Sequence, residues 1–297
     1  YVLISQLGYL ITVNVSTSAA VRSAQAGIET GVGFTPYSNA YLIMLLPYSI
    51  VTISIVTALL PYLSRLAIGK KIDEVREQLI NAIKIVGVAT IPSAVAFFFF
   101  GPLITPVLFI GVSLDDSRYI GLVLSALSFG LVAFSINLVL IRGFNAFEDT
   151  KTQVVSILVI NVISVGLSYL FLATLKSEYV TIGLGAAFSL SYIVGLFVTL
   201  ALLKKHIGKL SIAEFVPHHI KVLLAALIAM VPVYAVVHFE KWSSIESSLG
   251  IRAIRLLLVL VVSGVGYLFA ARALGIKEVS ALAGFASGLI KRGRKSR

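Results

Sequence analysis

Uncharged polar side chains lie inside long apolar stretches of this sequence, where the chemistry they offer is hydrogen bonding. Asn14 falls in the stretch 1–21, and Ser38, Asn39 and Tyr41 fall in the stretch 30–64. Asn161 lies in a third such stretch. Buried amides and hydroxyls need hydrogen-bonding partners. We therefore predict that these residues line a water-filled, substrate-accessible cavity, with interhelical hydrogen bonding as the alternative for any one of them.

Pro47 and Arg142 are candidates for gating rather than binding. Pro47 interrupts the same apolar stretch as Asn39. An interior proline removes a backbone hydrogen bond and bends its helix, and bent helices allow a transporter to rock. Arg142 follows the end of another apolar stretch, where it is expected to gate the cavity or hold the next loop.

Other kinds of site find no support in the residue types. The chain has no Cys, so it offers no thiolate ligand or cysteine nucleophile. His218 and His219 are adjacent, and they cannot share a metal as residues four apart on a helix do. None of the 13 Asp and Glu residues lies inside an apolar stretch, where proton relays and sodium sites need carboxylates. We predict neither catalysis, metal nor cofactor, and leave open coupling to an ion or to the membrane potential.

The elements that carry these residues are membrane-spanning helices. Apolar residues make up 58% of the 297 residues and charged residues 12%, against about a quarter in a soluble domain. A helix needs about 20 apolar residues to cross a bilayer, and the charge-free stretches are of that order. We predict an all-α integral membrane protein with about eight transmembrane helices, at 1–21, 30–64, 85–114, 119–141, 152–175, 179–203, 222–239 and 256–271.

The positive charge is distributed unevenly between the loops. With alternating spans, eighteen of the 24 Lys and Arg residues fall on one side of the membrane. The positive-inside rule assigns that side to the cytoplasm and predicts that both ends of the segment are cytoplasmic. The formal net charge of +11 is therefore a topology signal, and nucleic acid is not an expected partner.

Three local patterns predict structure at the ends of the spans. Apolar residues at helical spacing over 72–83 predict an amphipathic helix that lies on the inner face of the membrane and runs into the third span. The sequence of 150–153 fits a capping box. The short apolar run 279–290 fits an interfacial helix that brings the basic cluster 291–297 to anionic lipid head groups, or a solvated tail.

Several segments together resemble the MurJ/MviN family of lipid II flippases. They keep the order and spacing of the family's motifs over about residues 35–187: YSNAYLIMLLP at 37–47, LLPYLS at 59–64, IPSA at 91–94, RGFNAFEDTKT at 142–152, Asn161, and Gly183-Leu184.

The resemblance implies a transporter of the MOP exporter superfamily rather than an enzyme. It implies a second six-helix lobe at 1–205, two additional helices that form a lipid-tail groove at 206–273, and a basic cytoplasmic tail at 274–297. The implied activity is translocation of undecaprenyl-pyrophosphate-linked peptidoglycan precursor across the bacterial cytoplasmic membrane by alternating access. The implied partners are lipid II, a first lobe that precedes residue 1, and cytoplasmic regulatory or cell-wall-synthesis proteins.

The sequence departs from the family at positions where many members carry charge. Tyr41, Leu42 and Leu45 occupy positions of charged residues in the second span, and Val165 replaces an acid one turn after Asn161. Phe188 replaces a Thr. A charged head group would accordingly be bound mainly by residues outside this segment.

Two other functions remain compatible with the sequence. One is another exporter of the same superfamily, an oligosaccharide-lipid flippase or a multidrug antiporter. An antiporter is expected to carry intramembrane acids, and this segment has none. The other is a transport-inactive membrane scaffold whose basic tail recruits cytoplasmic proteins.

Overall fold

The described residues of the chain are helical, with short connections and no strand among them. A computed structural model describes residues 2–28, 31–208, 210, 212–240, 242 and 248–279. The predicted tail at 280–297 lies outside these residues. The helices are α1 (Val2–Gln25), α2 (Phe34–Pro47), α3 (Ile53–Ile68), α4 (Ile72–Leu108), α5 (Leu114–Ala146), α6 (Thr150–Thr174), α7 (Ser177–Ile207), α8 (Ile212–Phe239) and α9 (Leu249–Ala273). A π-helical turn, Tyr48–Thr52, joins α2 to α3, so the two form one continuous segment.

Seven of the described helical segments are long and apolar enough to cross a membrane: the α2–α3 segment and each helix from α4 to α9. Helix α1 has 24 residues, about 36 Å at 1.5 Å per residue, which exceeds a hydrocarbon core of about 30 Å. It is more polar than the others because it carries Gln6, Asn14 and several hydroxyls. The predicted all-α membrane fold with about eight long helices is confirmed.

Helix α5 lies at the centre of the bundle. Within its most apolar window, 61% of the residues are buried, more than in the other six candidate spans. It contacts α2, α3, α4 and α7 along its length. Helices α1, α2, α5 and α7 share one apolar core that includes Met44, Leu124 and Leu184. A second core, with Leu79, lies where the last turns of α3, α5 and α7 meet the first turns of α4.

Helices α8 and α9 pack against each other and against α4. Their shared core includes Val88, Ala226 and Val259. The Tyr267 hydroxyl of α9 donates a 2.8 Å hydrogen bond to the Val88 carbonyl of α4. The two last helices are therefore attached to the six-helix bundle through α4.

The ends of the bundle differ in charge, and we name them accordingly. The basic end carries the connections 69–71 and 147–149 and the last turn of α7, with Lys204 and Lys205. The opposite end carries the connections 109–113 and 175–176. The candidate functional side chains lie at one of these two ends or between them.

One local prediction is wrong in part and another is wrong. The segment 72–83 is a helix that runs into the third span, as predicted, since it is the first part of the continuous 37-residue α4, but its apolar residues Val75, Leu79 and Ile83 are fully buried in the protein core. They pack against protein rather than against the membrane surface. Thr150 is not the cap of α6: Asp149 is the N-cap, and its carboxylate accepts a 3.0 Å hydrogen bond from the Thr152 amide.

Candidate functional site

A polar cavity lies at the opposite end of the bundle. Its volume is about 440 Å³, and it is formed by α1, the start of α2 and the start of α5. Thr17, Thr35, Asn39 and Asp116 supply polar atoms, and apolar residues such as Ile120 supply part of the wall. Cavities of this size hold small-molecule ligands or parts of larger ones.

Backbone amides before α2 form one rim of this cavity. The Gly31 amide donates a 2.6 Å hydrogen bond to Asp116 of α5, and the Gly33 amide donates a 3.2 Å bond to the Thr181 hydroxyl of α7. Gly33 has φ +140°, a conformation that other residues rarely adopt, and a Cβ there would lie 3.1 Å from the Cβ of Ala20. These bonds fix the start of α2, and with it Asn39.

Of the five predicted cavity residues, Asn39 lines this cavity. Asn14 is exposed on α1, and its carbonyl accepts a 2.9 Å hydrogen bond from Ser18 within the same helix. Thr17, one turn later, lines the cavity instead. Ser38 is half-buried on α2 and is not among the lining residues. The structure thus does not bring Asn14, Ser38 and Asn39 together around one cavity.

Tyr41 packs in an aromatic cluster between α2 and α7. Its ring is stacked on Tyr37, with centroids 6.2 Å apart and planes at 9°, and it meets the edge of Phe188 at 5.7 Å. Phe188 also contacts Phe134 and Tyr192. In this arrangement the ring of Tyr41 joins two helices.

Asn161 is located at the contact between α6 and α1. Its side-chain amide donates a 2.9 Å hydrogen bond to the Ile157 carbonyl in its own helix. Its amide oxygen faces Gly8 of α1 so closely that a Cβ at Gly8 would collide with it. The glycine is required for this approach, and Asn161 contacts a helix rather than the polar cavity.

Pro47 ends the regular part of α2 and precedes the π-helical turn. Proline cannot donate the usual backbone hydrogen bond, and π-turns often accompany such interruptions at functional sites. Tyr48, the first residue of the turn, packs against Phe134 of α5 with centroids 4.4 Å apart and ring planes at 35°. Pro47 therefore lies at an irregular point in a long segment, as a hinge would.

Arg142 lies one turn before the end of α5, at the basic end, and is half-buried. Its Nε atom is buried and has no hydrogen-bond partner among the described residues. A buried, unsatisfied donor of this kind is costly unless something binds it. The position is compatible with the predicted gating role.

A buried chain of hydrogen bonds, not predicted from the sequence, crosses three helices. Asn137 of α5 is 1% exposed, and its amide donates to the Tyr192 carbonyl at 3.2 Å. Its side-chain oxygen accepts a 2.7 Å bond from Thr199 of α7, and Thr199 also pairs with Ser156 of α6 at 2.5 Å. An Asn inside an apolar stretch was the available signal, but its partners lie 55 and 62 residues away.

A second missed cluster surrounds Asp149 at the basic end. Its carboxylate accepts a 2.6 Å hydrogen bond from the Thr152 hydroxyl and lies 2.7 Å from the His206 ring. His206 is stacked on Phe147 with centroids 4.9 Å apart. The Thr152 hydroxyl, the Thr152 amide and His206, in that order, hold the pKa of Asp149 well below its usual range. This cluster ties the α5–α6 connection to the end of α7.

The acids in the described helices lie near helix ends, as Asp116 and Glu178 do. Within the described ranges, no three His, Asp or Glu side chains are grouped as metal ligands. His218 lies 3.6 Å from Glu278, whereas His219 faces the Phe215 carbonyl, so the adjacent imidazoles have different neighbours.

Taken together, the long apolar helices, the interrupted α2–α3 segment and the polar cavity at one end define a multi-pass helical membrane protein. The family model described as Lipid II flippase MurJ matches residues 1–252. The chain belongs to the MurJ lipid II flippase family, a family of transporters.

The fold is similar to that of a solved structure titled "Lipid II flippase MurJ, inward closed conformation". The TM-score is 0.65 at 21% sequence identity. The alignment covers 92% of this chain and 52% of that structure, so the chain spans about half the length of its structural relative.

Proposed function

We propose that this chain supplies about half of a protein that moves lipid II across the bacterial cytoplasmic membrane by alternating access. The observation that carries the proposal is the match of the lipid II flippase family model over residues 1–252. Residues 1–205 would form one six-helix lobe, and 206–273 would add two helices to it.

The polar cavity supports a role in substrate contact. Asn39, Thr17 and Thr35 are uncharged hydrogen-bonding groups, suited to the sugar and peptide hydroxyls and amides of a large polar head group. Since the membrane-spanning parts of this chain carry few charges, the pyrophosphate would be bound largely by the other lobe.

Exposed apolar faces support contact with lipid and with the other lobe. Leu257, Val261 and Phe269 of α9 are 62%, 53% and 67% exposed, which suits an outer surface along which a prenyl chain can lie. Leu7 of α1 and Leu42 of α2 are about 60% exposed, on helices that would face the other lobe. Apolar exposure on this scale is normal only in contact with hydrocarbon or another protein surface.

The proposed orientation follows the positive-inside rule, with the basic end in the cytoplasm. The polar cavity with Asn39 would then open toward the outer leaflet, and Arg142 and Asp149 would lie at the cytoplasmic side. Both ends of the chain segment would be cytoplasmic.

The test is the accessibility of lipid II in cells depleted of the full-length protein that contains this chain. We expect lipid II to accumulate and to become inaccessible to a reagent applied from outside, with export restored by a plasmid copy. Unchanged export in a strain with no second flippase would contradict the proposal and favour another lipid-linked substrate.

A further inference from the structure

An apolar crevice of about 480 Å³ lies between α4, α5 and α8. Its walls include Ala94 and Phe98 of α4, Phe129 of α5, and Leu223 of α8. Phe98, Phe129 and Leu223 are 42%, 59% and 41% exposed, so the crevice opens sideways into the bilayer rather than being enclosed. Its size is in the range of cavities that hold one drug-sized ligand, which suits a single lipid chain.

The end of the crevice nearer the basic end carries a polar atom that needs a partner. His219 lines the crevice, and its Nδ1 atom is 2.8 Å from the Phe215 carbonyl. Its Nε2 atom is buried against Gly87 of α4 and has no hydrogen-bond partner among the described residues. Because Nδ1 faces a carbonyl oxygen and donates to it, Nε2 is an acceptor, so only a hydrogen-bond donor, and not an ester oxygen, could satisfy it.

Lys84 connects this end of the crevice to a second cavity. It lies one turn before Gly87, the residue of α4 against which the His219 ring packs. It also lines a polar cavity of about 330 Å³ together with Glu77 and Glu214. The basic residue next to the crevice is thus followed by two exposed carboxylates.

Two further charged residues line this cavity, and they compensate each other. Arg76 and Asp73 also line it, but they pair with each other at 2.9 Å, and Arg76 additionally binds the Ile207 carbonyl. The remaining charges are positive at Lys84 and then negative at Glu77 and Glu214. They are complementary to a negative phosphate followed by a positive ammonium. A net anionic head group would meet Glu77 and Glu214 unfavourably.

We propose that the crevice and the adjoining polar cavity bind a phosphatidylethanolamine molecule from the surrounding leaflet. One acyl chain lies in the crevice, the phosphate meets Lys84, and the ammonium meets Glu77 and Glu214. The placement in the cytoplasmic leaflet rests on the proposed orientation; the binding site itself does not depend on lipid II transport.

The experiment uses the full-length protein in nanodiscs that contain phosphatidylethanolamine with a diazirine in one acyl chain. Cross-linked peptides are mapped by mass spectrometry, and parallel nanodiscs contain phosphatidylglycerol with the same chain. We expect cross-links on the crevice segments of α4 and α8, with phosphatidylethanolamine favoured about fivefold, the effect of one charge near a membrane surface.

Substitutions separate the three parts of the site. Ala94→Trp fills the crevice and is expected to abolish the cross-links, whereas Val261→Trp on the exposed face of α9 is the matched control. Glu214→Gln, which leaves Glu77 in place, is expected to lower the preference for phosphatidylethanolamine, with Glu240→Gln at the opposite end as its control. Lys84→Gln is expected to lower cross-linking by both lipids about fivefold, because both carry the phosphate.

Three results would overturn the proposal. Equal labelling by both lipids would exclude recognition of the ammonium, and the absence of crevice cross-links in the unsubstituted protein would exclude occupation by a phospholipid chain, even if Ala94→Trp fails to fold. Displacement of the photolipid by undecaprenyl pyrophosphate would assign the crevice to a substrate chain. Since no arm measures transport, failure here leaves the flippase proposal standing.

Discussion

Asn39 has the structural position expected of a residue that contacts a translocated head group. It is half-buried, it lines the polar cavity, and the hydrogen bonds of Gly31 and Gly33 fix the start of its helix. Asn14 lies on the neighbouring α1 but is exposed, with its carbonyl bonded to Ser18. Two residues of the same type therefore differ in the environment that matters for function.

Asn39→Leu in the full-length protein is expected to reduce lipid II export at least several-fold while leaving expression unchanged. The substitution keeps the approximate volume and removes the hydrogen-bonding groups from the cavity wall. The measurement is complementation of depleted cells, with protein abundance followed by immunoblot. Full complementation at normal abundance would remove Asn39 from the site.

Asn137 is expected to matter for stability instead. Asn137→Leu breaks interhelical bonds to Tyr192 and Thr199, each worth about 0.6 kcal/mol on average in membranes, and leaves buried partners unsatisfied. We expect a loss of about 1–2 kcal/mol in the free energy of unfolding, measured by denaturation in mixed micelles. Asn14→Leu, the same change at an exposed position, is the control, and equal stability of the two variants would argue against the chain of bonds.

Asp149 gives a pH-dependent prediction. Its depressed pKa means that the carboxylate contributes stability above its ordinary pKa of about 4, and that the contribution disappears as pH falls toward the lower folded value. Asn is a comparable N-cap, so Asp149→Asn keeps the cap of α6 but loses the charge beside His206.

We expect Asp149→Asn to lower the thermal midpoint at pH 7 and to differ progressively less from the unsubstituted protein as pH falls below about 4. Asp73→Asn is the control, because Asp73 is 92% exposed although it pairs with Arg76. A difference between Asp149→Asn and the unsubstituted protein that does not change with pH would show that the charge is not the cause.

At the scale of elements, the interruption after Pro47 is the feature of interest. Pro47→Ala restores a backbone donor and is expected to leave the thermal midpoint equal or higher, because the helix becomes more regular. If the interruption is used in transport, export should fall several-fold at unchanged abundance. Pro92→Ala, within the long α4, is the matched control; unchanged export in Pro47→Ala would exclude a hinge role.

The helices were predictable from sequence, but the contacts between them were not. Charge-free stretches indicated each long helix, because lipid exposure demands apolar residues over a length fixed by the bilayer. The helical spacing of apolar residues over 72–83 indicated a helix but not its surroundings. Its apolar stripe packs against protein rather than the membrane surface, because an apolar face does not specify what covers it.

Contacts between residues on different helices cannot be predicted from the sequence alone, because the partners are far apart along the chain or carry no side chain. Asn161 was predicted from its polarity, yet its neighbour is Gly8, which carries no side chain to signal the contact. Asn137 and Thr199 are 62 residues apart, and helical periodicity says nothing at that separation. The sequence therefore identified one residue of the polar cavity, Asn39, but neither its rim nor the buried chain of hydrogen bonds.

At the scale of the whole molecule, the orientation in the membrane can be tested directly. The chain has no Cys, so single substitutions give clean labelling sites in this segment. We expect a membrane-impermeant maleimide added outside cells to label Lys176→Cys, at the start of α7, but not Lys70→Cys, in the α3–α4 connection. Permeabilised cells supply the control, in which both sites should react; the reverse pattern in intact cells would invert the proposed topology.

The π-helical turn at Tyr48–Thr52 also has a consequence for rotation. Such a turn holds one more residue than an α-helical turn, and each residue of an α-helix corresponds to about 100° around the axis. If the π-helical turn moves along the chain, each residue that it passes rotates by about that angle around the helix axis, relative to the surrounding helices. The α2–α3 segment could thus present different side chains to the interior without bending, and Tyr48, packed against Phe134, would hold the turn at its present position.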